Sequence, residues 1–151
     1  MFEKTLAWAA REPMNIGDAG EAARIVGHED TAKAMSQPGD EFPEVFATTR
    51  MIGLMEVAAS RAMKGLLAPG QLSVGVGVNV KHLAATPVGV EAKAIATFLG
   101  MEGKLYRFKV EAFDPGGLIG EGEHTRAIVS TDRLIAGASS RTGRASREPR
   151  G

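Results

Sequence analysis

The run TTRMIGLMEVAASRAMKGLL, residues 48–67, followed by QLSVGVGVNVKHL, residues 71–83, decides the fold. In the first run Met51, Met55, Ala58, Ala59, Ala62, Met63 and Leu66 share one broad helical face, while Arg50, Ser60, Arg61 and Lys64 gather opposite. The spacing predicts a helix over 48–67, the longest in the chain and the spine of its core. Thr48 or Thr49 is placed to cap its start, and Pro69-Gly70 ends it. Gly53 costs about 1 kcal/mol inside a helix, which predicts close approach of another backbone there.

The second run alternates as a strand. Val74, Val76, Val78 and Val80 are predicted to point one way, with Gly75, Gly77, Asn79 and Lys81 the other, and His82 shares the valine face. Working outward, strands are predicted over 90–99, 104–114 and 118–131, separated by turn signals at 86–89, 100–103 and 114–117. Such short connections favour antiparallel neighbours. Upstream, Ala22, Arg24 and Val26 alternate as a strand would, residues 30–35 read as a turn or short helix, and 36–40 as a loop. Residues 7–10 could start a short helix that Pro13 interrupts. One long helix against four or five antiparallel strands is an α+β domain.

A chain of 151 residues suits a single domain, and 44% apolar residues suit a packed core. Residues 1–20 read as an N-terminal extension, 21–137 as the domain and 138–151 as a flexible arginine-rich tail. Four arginines against Glu148 make that tail basic, so the rest is slightly acidic and mixed, which gives no nucleic-acid footprint. The absence of cysteine excludes disulfides, thiolate metal sites and a cysteine nucleophile. With no secretory pattern and no apolar run long enough for a membrane helix, a soluble cytoplasmic protein is the expectation. His28, His82 and His124 fit no metal-ligand spacing, so no metal is expected.

Three polar residues stand close to the predicted core. Glu56 lies at the border of the helix's apolar face, between Ile52, Met63 and Leu67; it is either a rim carboxylate that bends to water or an inward group with chemistry to do. His82 closes the strand facing inward, as a structural histidine or as a base beside a loop. Helix capping alone would explain Thr48. Together they are a hydroxyl, a carboxylate and an imidazole, which acyl hydrolysis can use.

The runs FPEVFAT (42–48), GLME (53–56), HLAATP (82–87) and GEHTR (122–126) resemble the fluoroacetyl-CoA thioesterase-like branch of the hotdog-fold thioesterases, in order and in spacing, across about residues 21–135. That resemblance implies a hotdog fold with a central helix wrapped by an antiparallel sheet of about five strands. It implies hydrolysis of a small acyl-CoA thioester, with coenzyme A as part of the substrate and no separate cofactor. It implies a homodimer, with higher homo-oligomers open, and acyl-CoA near the interface. Thr48, Glu56 and His82 correspond to the family's catalytic residues, and Phe42, Gly75 and Arg126 to substrate-contacting ones. Gly39 stands where a second lid phenylalanine is expected, which predicts a different or less restrictive acyl pocket. A hotdog protein that binds acyl-CoA or another hydrophobic ligand without hydrolysis is the main alternative, and a hydratase-type lyase a weaker one.

Overall fold

The computed structural model describes residues 13–143, so the short helix expected at 7–10 lies outside the described residues. Strand β1 (Ala19–Ile25) is followed by two 3-10 turns and then by α1 (Thr48–Met63), which tightens into a 3-10 turn over Lys64–Leu66. Strands β2 (Gln71–His82), β3 (Glu91–Glu102), β4 (Leu105–Asp114) and β5 (Gly117–Ser130) complete one antiparallel sheet, and α2 (Thr131–Thr142) closes the described chain. The strand order is β1-β3-β4-β5-β2, which leaves β2 as an edge. This is the hotdog arrangement: a long helix held against a curled five-stranded sheet.

The helix forms where the period said it would. Met51, Met55, Ala58, Ala59 and Met63 are buried on its inner face. They meet Ala92, Ala94, Ala96 and Phe98 of β3, Phe108, Val110 and Ala112 of β4, and Ile119 of β5. The alanine file of β3 lets helix and sheet approach closely, and Gly20 extends that approach to β1. A Cβ at Gly20 would run into the carbonyl of Ala58. Phe98 meets Tyr106 and Phe108 in tilted contacts, with ring centroids 5.9 and 5.7 Å away, within the spacing aromatic pairs prefer.

Four expectations need correction. The alternation of β2 is broken by a bulge between Gly75 and Gly77, so Val76 opposes no residue of β5. One extra residue reverses every side chain beyond it. Val74 therefore lies on the face opposite Val78 and Val80, while Gly75 joins the helix-facing side with His82. Second, a helix occupies residues 131–142, where a strand end and the start of a tail were expected. Ser130 caps it by accepting from the Arg133 N–H, and Gly143 ends it with a φ of 74°. Residues 144–151 lie outside the described ones. Third, the N-cap of α1 is Ala47, and neither threonine side chain caps it. Fourth, a Cβ at Gly53 would meet nothing within 4 Å, so among the described residues no backbone makes the close approach expected there.

Candidate active site

The geometry brings the polar residues together in two groups. The first joins the start of α1 to the end of β2. Thr48 Oγ1 and His82 Nδ1 are 2.8 Å apart, across 34 residues of sequence. With no capping duty, the Thr48 hydroxyl is committed to the imidazole. The loop after His82 is pinned from several sides: Leu83 N–H donates to the Ile119 carbonyl, Phe46 N–H to the Thr86 carbonyl, and the buried Thr86 hydroxyl to Asp114. Asp30, fully buried, braces the other wall by accepting from Arg24 Nε and Gly27 N–H, while its carbonyl accepts from Ala47 N–H. Between these walls lies a cleft of about 400 Å³ lined by Pro43, Val45, Phe46, Thr48, His82 and Ala84, among others. His82 Nε2 is sheltered from solvent and has no hydrogen-bond partner among the described residues. Phe42, expected to line an acyl pocket, is 46% exposed and stands outside the lining of this cleft.

The second group surrounds Glu56, two turns further along the helix. Arg126 Nη1 donates to Glu56 Oε2 at 3.2 Å. The guanidinium is buried, with its side chain 6% exposed, whereas the Glu56 side chain keeps 43% of its surface. Arg126 also donates through Nε to Ser73 Oγ at 3.0 Å and through Nη2 to the Ser73 carbonyl at 2.8 Å. His124, buried beside it, lies 3.1 Å from Nη1 through its Nε2 and 2.8 Å from the Gly77 carbonyl through its Nδ1. Gly75 leaves room for Glu56 where it lies: a Cβ there would collide with Oε2 and stand 3.1 Å from the His124 ring. Gly75 and Arg126, expected from the resemblance to contact substrate, are both found against Glu56, a grouping the sequence reading did not anticipate. His124 and Ser73 were missed. The available signal was a pair of polar residues, His124 and Arg126, two apart on the inward face of a strand.

Within one chain the groups do not meet. Eight helical residues separate Thr48 from Glu56, about 12 Å at 1.5 Å per residue. Seven strand residues separate Gly75 from His82, roughly 20 Å. The three residues singled out from sequence are therefore one hydrogen-bonded pair and one distant, arginine-held carboxylate.

Electrostatics separate the two imidazoles from an ordinary histidine. Burial lowers the pKa of His82, opposed by the backbone at Ala84. Burial also lowers that of His124, opposed by the Gly77 carbonyl, with the Arg126 charge lowering it further and Glu56 raising it. Burial pulls Arg126 down as well, against the pull of Glu56; guanidinium stays charged all the same. Among the described residues no group of three or more histidine or acidic side chains could hold a metal ion. No described helix is long and apolar enough to cross a membrane.

A hotdog sheet with a hydroxyl–imidazole pair in a cleft at the head of its helix, and an anchored carboxylate further along, is the arrangement expected of a hotdog thioesterase. Comparison with known proteins narrows it. A family model described as fluoroacetyl-CoA-specific thioesterase matches residues 26–132. The fluoroacetyl-CoA thioesterase of Streptantibioticus cattleyicolor is 42% identical over 102 residues, which are 68% of this chain and 73% of that protein. The solved fluoroacetyl-CoA thioesterase FlK superposes with a TM-score of 0.79 at 36% identity, over 85% of this chain and 98% of that one. A Thermus thermophilus protein of the thioesterase superfamily gives the same TM-score at 27% identity, over 91% and 99%. The chain belongs to the fluoroacetyl-CoA-specific thioesterase family of hotdog proteins. It is an acyl-CoA thioesterase, which hydrolyses a small acyl-CoA thioester to the free acid and coenzyme A.

Proposed function

We propose that Thr48 and His82 of one protomer and Glu56 of a second form each hydrolytic site of a homodimer. The observation that carries this reading is the hydrogen bond between Thr48 and His82 in a cleft, with Glu56 about 12 Å along the same helix. The edge strand β2 supports the partner: Val76 and Val78 are 56% and 44% exposed on a strand that, among the described residues, has β5 on one side and no strand on the other. An exposed apolar edge is a template for another strand. Two copies of β2 paired antiparallel around Val78 bring the helix-facing end at His82 toward the partner's helix-facing Gly75 and hence the partner's Glu56.

In this site Glu56 works through Oε1, since Arg126 holds Oε2, and attacks the thioester carbonyl directly or through a water molecule. With its Nδ1 hydrogen donated to Thr48 Oγ1, neutral His82 keeps a lone pair on Nε2. That atom accepts a proton from water as the water oxygen adds, either to the thioester carbonyl or to the carbonyl of an acyl-Glu56, and passes it to the coenzyme A thiolate that is expelled when the C–S bond of the first tetrahedral intermediate breaks. The Thr48 hydroxyl, relieved of donating to the imidazole, donates to the developing oxyanion.

The relative's name carries fluoroacetyl-CoA as substrate. For this chain we assign small acyl groups more broadly, fluoroacetyl among them, because Gly39 forms an open turn with a φ of 93° and no side chain to act as a lid. Apolar pockets separate acyl groups by only about 1–3 kcal/mol per methylene. A cysteine-free chain also fits a cytoplasmic setting.

The test is thiol release over a short-to-medium acyl-CoA panel, measured against pH. Release is expected from several short acyl groups. The pH sign follows from both histidines having folded values below the ordinary 6.5. The unfolded chain takes up protons first, so their contribution to stability is complete above pH 6.5 and lost as pH falls from there through the folded values. The same fall charges the His82 base, so kcat is expected to decline on the acid side as well. Binding of acyl-CoA with no thiol release at any pH would instead support a ligand-binding protein.

A further inference from the structure

His124 is buried, fully hydrogen-bonded and unused by the steps above. We propose that it is a positioning residue for the hydrolysis: its Nε2 is a bare acceptor that fixes the Arg126 guanidinium, and through it the Glu56 carboxylate. The proposal rests on Glu56 being the reacting carboxylate.

The tautomer follows from the partners. A guanidinium has donors and no acceptor, so the contact of Arg126 Nη1 with His124 Nε2 at 3.1 Å requires a lone pair on that nitrogen. The ring hydrogen is then on Nδ1, which donates to the Gly77 carbonyl at 2.8 Å. That carbonyl is presented at the β2 bulge, so the irregularity in the strand has a use: it supplies the acceptor that selects the tautomer. Nη1 carries two hydrogens, one for Glu56 Oε2 and one for His124 Nε2. Those two bonds set the rotation of the guanidinium plane, while Ser73 holds its opposite edge through Nε and Nη2. Around the ring stand Glu56 from α1, Arg126 on β5, the Gly77 carbonyl from β2 and, opposite it on β4, Phe108. A second proton on His124 would point an N–H at a guanidinium, so the arrangement works only with neutral imidazole.

His124→Leu keeps comparable volume and removes both polar atoms. Misplacing a reacting group by about 1 Å costs on the order of 100-fold in rate. The expected result for His124→Leu is a 10- to 100-fold loss in kcat, on the order of that misplacement penalty, with KM for acyl-CoA little changed. His124→Gln, which returns a carbonyl oxygen near the Nε2 position, recovers most of it. If His124 acts through Glu56, adding His124→Leu to Glu56→Gln causes no further loss; a merely structural role would make the two losses add. A second readout is independent of activity and of the role of Glu56. The ¹⁵N spectrum of histidine-labelled wild-type protein at neutral pH is expected to show His124 protonated on Nδ1 and bare on Nε2. An Nε2–H tautomer, or a folded His124→Leu protein with wild-type kcat, overturns the proposal. Full activity in Glu56→Gln would overturn the role of Glu56, while the spectrum still reported on His124.

Discussion

Glu56→Gln is expected to lower kcat by about 10³-fold, within the range for loss of a general base or nucleophile, while leaving the fold intact. The substitution is close to isosteric. Its amide oxygen can still accept from Arg126 Nη1, now at 3.2 Å from Oε2, so the buried guanidinium keeps a partner and the cost of an orphaned charge is avoided. Gly75 still provides room for the group. What is lost is the negative oxygen that attacks the carbonyl or activates water. The measurement is steady-state thiol release from a short acyl-CoA, beside a thermal melt. A melt near that of the wild type with a collapsed kcat is the expected pair of results. Unchanged kcat would remove Glu56 from the chemistry.

The second large effect concerns a residue outside the proposed catalytic trio. Val78→Asp is expected to turn the proposed dimer into monomers and to abolish turnover, although Thr48, Glu56 and His82 all remain. Val78 lies on the helix-facing side of the edge strand, 44% exposed in the single chain and opposite His124 in register. Burying an unpaired carboxylate at a strand interface costs several kcal/mol. Each 1.4 kcal/mol is about tenfold in the association constant, so dissociation at micromolar protein is the expected outcome. Light scattering gives the mass and thiol release gives the activity. A monomer that retained wild-type kcat would show that one chain suffices.

How much of this was legible in the sequence depends on the kind of signal. Residues 48–67 carry enough apolar positions at helical spacing that the helix, its buried methionines and the border position of Glu56 could all be read directly. The inward direction of His82 was read correctly, although from a parity that the bulge at Val76 invalidates for the residues before it. A bulge adds a residue without changing composition, so alternation cannot reveal it. Strand α/β ambiguity also hid the helix over residues 131–142: Leu134 and Ile135 remain exposed and no residue of it is buried, so its apolar stripe is weak. The readable signs were its ends, Ser130 before Asp132 and Gly143 beyond.

The site was legible as residue types and illegible as a constellation. Thr48 could be dismissed as a cap until the structure gave the capping position to Ala47 and the Thr48 hydroxyl to His82. The clustering of Glu56 with Arg126 depends on which strand of a curled sheet lies over which helical turn, and local pattern does not encode that. His124 was set aside because its spacing to other histidines fits no metal, yet its partners are a guanidinium and a carbonyl. These long-range pairings arise only once β5 lies between β4 and β2.

The central claim is that each site draws Thr48 and His82 from one protomer and Glu56 from the other, and mixing two inactive variants tests it most directly. Glu56→Gln and His82→Ala homodimers are each expected to be inactive. After dissociation and reassociation together, half of the dimers are mixed, and each mixed dimer regains one intact site of two. By that statistical weighting about a quarter of wild-type activity is expected to return, with exchange governed by mass action. No recovery, in a mixture shown by mass to contain the mixed dimer, would contradict the shared site.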